Sequence, residues 1–162
     1  GAWKLENDLN TARFFAATGS VIINKRLVIA GGWNGTRLAT IEVVAPNTNS
    51  ETLPISLPVG RYGSCIVPWD TNTFMIIGGN GGNYFHGNRR ETYFFNMAKN
   101  ERTNGPSLLT GRREFACHTM NVNVEEYIIV AGGWGGAPNS TEYLHKVNYG
   151  NGWQNSKNWT VV

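Results

Sequence analysis

The sequence predicts an all-β protein built from three repeats of a four-stranded antiparallel sheet, and three observations carry that expectation. The first is one local pattern written three times: "RLVIAGGWNG" at 26–35, "TFMIIGGNGG" at 73–82 and "YIIVAGGWGG" at 127–136. Each joins a strand-length apolar run to a glycine pair, at Gly31-Gly32, Gly78-Gly79 and Gly132-Gly133, 47 and 54 residues apart. Self-similarity at a period near 50 marks a repeat architecture. The second is composition: 162 residues with 20 glycines and only 15% charged residues suit short strands and many turns. The third is that four strand signals fit inside each period.

The elements follow in order. The first strand of each unit is read in "RFFAATGS" (13–20), "RYGSCIVP" (61–68) and "REFACHTM" (113–120), headed by Arg13, Arg61 and Arg113. This alignment puts Ala16, Ser64 and Ala116 in one small-residue column and Ala17, Cys65 and Cys117 in the next. Cys65 and Cys117 then read as small buried side chains. A disulfide between them is the less favoured reading, because matching positions of neighbouring repeats usually lie beyond the roughly 7 Å Cα separation that a bridge spans. The repeated arginines suggest a shared structural hydrogen-bonding task.

The second strand is the apolar run itself, continuous and therefore expected to be covered on both faces. The glycine pair lets the chain leave at φ values closed to other residues and lets neighbours approach. A third strand is read in "ATIEVVAP" (39–46), "ETYFFNMA" (91–98) and "TEYLHKVN" (141–148), with Glu42, Glu91 and Glu142 near the start. The fourth is weakest: "ETLPISLP" (51–58), "RTNGPSLL" (102–109) and part of 152–162.

Taken together, an arginine, small residues, an apolar run, a glycine pair, a strand with glutamate and a strand with proline or tryptophan resemble the kelch repeat. "GGWNGTRLATIEVVAPNTN" is the most similar stretch, and "WKLENDLNTAR" (3–13) resembles the last strand of a preceding unit. The resemblance implies a kelch-type β-propeller, of which this chain supplies three four-stranded antiparallel blades as part of a larger propeller. Residues 1–12 would close a preceding blade, and 13–58, 59–109 and 110–162 would form blades one to three. Propellers typically need 4 to 8 blades, so further blades are expected, from a longer parent chain or a second copy.

The resemblance also implies a non-catalytic platform for protein–protein interaction, with contacts on the loops of one rim. The matching loops hold Trp33 and Arg37, then Tyr84, Phe85, His86, Arg89 and Arg90, then Trp134. Aromatic and arginine side chains are the types that dominate binding hot spots. The competing reading folds Tyr84 and Phe85 back over the sheet and uses Trp33 and Trp134 for packing between sheets.

Other functions are less well supported. A galactose-oxidase-like copper enzyme is the sharpest catalytic alternative, but His86, His118 and His145 are scattered, whereas copper needs converging ligands. Neither a catalytic motif nor a helix after "GGNGGN" (78–83) points to an enzyme or a nucleotide site, so no cofactor or metal is expected. The net charge of +3 is dispersed, which gives no nucleic-acid footprint, and no run is long enough for a membrane span.

Asn34, Asn139 and Asn158 open Asn-x-Ser/Thr sequences. Three is about what chance gives among 20 asparagines and 21 serines and threonines. "GPSLLTGRREFACHTM" and "STEYL" resemble the repeats of secreted invertebrate kelch proteins, so an extracellular glycoprotein is expected. The alternative is a cytoplasmic substrate-recognition propeller of a ubiquitin-ligase adaptor.

Overall fold

A computed structural model describes residues 8–82, 87–135, 138–146 and 158–161. The described residues form three four-stranded antiparallel sheets and no helix. The first sheet orders β1 (Ile22–Ile23), β2 (Arg26–Ala30), β3 (Ile41–Val44) and β4 (Glu51–Thr52) side by side. The second orders β5 (Cys65–Pro68), β6 (Thr73–Ile77), β7 (Thr92–Asn96) and β8 (Glu101–Asn104). The third holds β10 (Ala116–Val122), β11 (Glu125–Ala131), β13 (Thr141–Lys146) and β14 (Thr160–Val161). A short ribbon, β9 (Arg112–Arg113) with β12 (Trp134–Gly135), stands beside the third sheet. Trp3 and Trp153, the residues that suit the tryptophan position of the fourth strand in the kelch-like pattern, lie outside the described residues.

The sheets stack face to face with two cores between them. Ile66, Phe74, Ile76 and Phe95 of the middle sheet pack with Val21, Val28, Ile41 and Val43 of the first. The alternate residues, Val67, Met75, Ile77 and Phe94, pack with Phe115, Ile128, Val130 and Leu144 of the third. Successive side chains of a strand point to opposite faces, so both faces of the middle sheet are used and all of β6 is buried. In contrast to the expectation for every apolar run, β2 and β11 are covered on one face only. Their burial alternates, leaving Leu27 exposed and Tyr127 and Ile129 half-buried.

The glycine pairs are explained by the neighbouring sheet. All six glycines have positive φ, from 58° at Gly78 to 108° at Gly32. A Cβ on Gly31 would stand 2.5 Å from the Arg61 carbonyl oxygen, and one on Gly78 would stand 2.8 Å from that of Arg112. In the first two pairs the second glycine donates its N–H to the same carbonyls, Gly32 to Arg61 at 2.8 Å and Gly79 to Arg112 at 2.9 Å, whereas a Cβ on Gly133 would stand 2.6 Å from the Arg113 carbonyl oxygen of its own unit. A left-handed backbone demands glycine in all three pairs, and close approach of the next repeat adds to that demand in the first two.

These contacts correct the alignment of the third unit by one residue. Arg13 donates to the Gly31 carbonyl at 2.6 Å, Arg61 to Gly78 at 3.0 Å and Arg112 to Gly132 at 2.9 Å, so Arg112 heads the unit in place of Arg113. Arg13 pairs with Glu42, and Arg112 pairs with Glu142 at 2.7 Å, all four side chains being at most 1% exposed. Glu42 also accepts the N–H groups of Asn10 and Thr11, as Glu142 accepts those of Leu109 and Thr110. One carboxylate thus ties the third strand to its arginine and to the segment entering the sheet.

The middle sheet departs from this scheme. Gly78 donates to the Glu91 carbonyl as Gly31 does to Thr40 and Gly132 to Ser140, so Glu91 precedes the repeated glutamate position by two residues. Tyr93 occupies that position, with its ring centroid 5.0 Å from the Arg61 guanidinium. Pro58, which stands where Asn10 and Leu109 donate their N–H, has no N–H to offer. Carboxylate and one donor are therefore missing together. Burial pushes the Arg61 guanidinium below its ordinary pKa, opposed by Tyr93 and Glu91.

The same one-residue correction overturns the reading of the cysteines. Cys65 and Cys117 form a disulfide, with Cα atoms 6.2 Å apart. Cys65 pairs with Ile77 and Ala116 with Ala131, each immediately before a glycine pair, so Cys65 shares a column with Ala116. Residues in one column would point the same way and miss each other. The offset of one turns Cys117 back toward the middle sheet, and both sulfurs enter the same inter-sheet space.

Candidate functional site

The segments that enter each sheet and the connectors after the glycine pairs meet at one end of the stack. Phe14 exchanges backbone hydrogen bonds with Trp33 at 3.1 and 2.8 Å, and Tyr62 does so with Asn80 at 3.2 and 2.8 Å. Arg113 pairs with Trp134 in the short ribbon. Phe14, Tyr62 and Arg113 thus occupy one repeat position, and Trp33, Asn80 and Trp134 another. Between them opens a cleft of about 1160 Å³ with contributions from all three units.

Aromatic rings form much of its wall. Phe14 is 54%, Phe15 58% and Trp134 66% exposed, while Trp33 and Tyr62 meet edge to face at 5.9 Å. Trp134 is therefore not packed between sheets. Arg37 lies over Trp33 at 5.6 Å and Tyr62 at 5.9 Å, within the range of a cation–π contact. Its Nε donates to Asn80 Oδ1 at 3.1 Å, which fixes the plane of the guanidinium. Arg113 lies over Trp134 at 5.8 Å and donates to Asn88 Oδ1 at 2.9 Å. Arg90 is anchored through Nε to the Leu108 carbonyl at 2.6 Å.

Two non-glycine residues with left-handed backbone, Phe15 and Glu114, stand in this wall. Phe15, Gly63 and Glu114 share a repeat position and have φ of 53°, 61° and 53°. Their peptides form a relay, Gly63 N–H donating to Phe15 and Glu114 N–H to Gly63, at 2.9 and 2.8 Å. Left-handed backbone costs a residue with Cβ about 1–2 kcal/mol. Glycine removes that cost in the middle unit, whereas the first retains a phenylalanine whose ring is mostly in solvent. Such strain points to function. Phe15→Gly is expected to change stability by no more than about 1 kcal/mol, because relief of strain offsets the added chain entropy. Truncating a buried aromatic would cost about 3–5 kcal/mol, so urea denaturation separates the two cases.

Of the rim residues expected from sequence, Trp33, Arg37, Arg90 and Trp134 come together in the cleft. Arg89 turns away from it, donating to the Gly81 carbonyl at 2.8 Å and facing Glu91 at 3.5 Å. Tyr84, Phe85 and His86 lie outside the described residues. The sequence reading missed Phe14, Phe15, Tyr62, Asn88, Arg113 and Glu114. Most of these directly follow the repeated arginines, and correct alignment of that column would have found them. Asn34, Asn139 and Asn158 are exposed.

Among the described residues, no three His, Cys, Asp or Glu side chains are placed to hold a metal. No described helix is long and apolar enough to cross a membrane. No protein-family model matches the chain, and no curated protein matches it significantly.

Proposed function

We propose that the three sheets are successive blades of a kelch-type β-propeller and that the chain is a non-catalytic protein-binding module. The observation that carries the reading is the cleft, where exposed aromatic rings and held guanidiniums from all three units converge. Three meander sheets packed face to face, the first and third each locked by an Arg–Glu pair at the same repeat position, support the propeller part. Further blades, from the parent chain or a second copy, would cover the outer face of the first sheet, where Ile22 is 68% exposed. The disulfide favours an oxidising, extracellular compartment, and the exposed Asn34, Asn139 and Asn158 are compatible with glycosylation there.

The test is a partner captured by affinity and then measured against a Phe14→Ala/Trp134→Ala variant. Loss of true hot-spot contacts costs about 2 kcal/mol or more, and unchanged affinity would place the interface elsewhere. Intact mass before and after glycosidase treatment reports the compartment.

A further inference from the structure

We propose that the cleft binds a peptide segment in which acidic side chains flank an apolar one, an inference resting on the reading of the chain as a protein-binding module. The hydrogen-bonding inventory decides the charge. Arg37 and Arg90 each spend Nε on the protein, and their terminal nitrogens meet no hydrogen-bond partner among the described residues. Asn88 is used at both ends, accepting from Arg113 and donating to the Trp134 carbonyl at 2.9 Å. The carboxylate in the wall, Glu114, faces Arg113 Nε at 3.6 Å. The free capacity is therefore mostly donors on cations. Guanidinium groups pair best with acceptor-only anions, often through two parallel bonds. A neutral, hydroxyl-rich ligand would bring donors of its own and find few acceptors.

The rings decide the rest. Phe14 and Phe15 meet at 75°, Phe15 and Tyr62 at 42°, and Trp33 and Tyr62 at 78°. These planes make a faceted wall, which suits a branched or aromatic side chain better than the flat face of a sugar ring. The strained Phe15 supplies one facet, and Leu109, 43% exposed, adds an aliphatic surface to the cleft.

The experiment measures fluorescence anisotropy of short labelled peptides on the intact protein. The first carries glutamates around a leucine, the second replaces the glutamates with glutamine and the third with lysine. A heparin-derived oligosaccharide is the fourth probe. The glutamate peptide is expected to bind best and to weaken with salt, and Arg37→Gln or Arg90→Gln should each weaken it about tenfold or more. Because Arg37 also contacts Asn80, a second variant guards against misfolding: Arg37→Glu should lose the glutamate peptide and gain the lysine one. Equal binding of the glutamine peptide would overturn the acidic specificity and leave the binding-module reading intact. Binding of the oligosaccharide alone would replace the peptide with a polyanionic glycan. Failure of every peptide, with no change in tryptophan fluorescence, would remove the binding-module reading of this cleft as well.

Discussion

Glu142→Gln is expected to destabilise the protein by about 3–5 kcal/mol, the usual cost of removing one partner from a buried ion pair. The carboxylate is fully buried, 2.7 Å from Arg112 Nη2, and also accepts the Leu109 and Thr110 N–H groups at 2.7 and 3.0 Å. Glutamine keeps the shape but offers one oxygen, and its amide would direct hydrogens at groups that themselves donate. Arg112 would then be a buried cation without its counter-charge. The matched control is Glu51→Gln. Its partner is Arg26, but the two side chains are 59% and 33% exposed, so solvent screening should hold the change to about 0–1 kcal/mol. Equilibrium urea unfolding of the two variants tests the difference. A cost for Glu142→Gln no larger than for Glu51→Gln would show that the repeated pair does not lock the sheet.

Replacing both Cys65 and Cys117 with alanine is expected to cost about 4 kcal/mol, from the closure entropy of the loop. The bridge joins residues 52 apart and ties the first strands of the second and third sheets, β5 and β10. Those sheets are otherwise held by apolar packing around Phe115, Ile128 and Leu144 and by the backbone hydrogen bonds of Gly79 with Arg112 and of Glu114 with Gly63. Its removal should therefore lower the unfolding midpoint and leave the two sheets less firmly held together. Denaturation with and without a thiol reductant checks the estimate on the unmodified protein. Coincident curves would indicate that the cysteines are reduced in solution or that the unfolded chain remains compact.

Much of the fold was legible in residue order because β-structure and repetition are local signals. Apolar runs ending in paired glycines can be seen in one dimension, and so can the alternation that places Val28 and Ala30 on one face of their strand. The strand edges were less legible. The first unit opens with isolated pairings at Phe14 and Thr18, and its first regular strand begins at Ile22. Glu91 was misread because its spacing from the glycine pair resembles that of a repeated glutamate, whereas hydrogen-bond register assigns the position to Tyr93.

The residues alone determined the all-β class, the threefold repetition, the need for glycine after each apolar run and the candidacy of Trp33, Arg37, Arg90 and Trp134. Tertiary structure decided which arginine heads the third unit, which way Cys117 points and which side chains share the cleft. The reason is the two-residue period of a strand, in which an error of one position moves a side chain to the opposite face. Only contact with the neighbouring sheet reveals that error. Phe15 illustrates the same limit, since a left-handed backbone at phenylalanine is imposed by the hydrogen-bonded relay through Gly63 and Glu114, residues 48 and 99 positions farther along the chain.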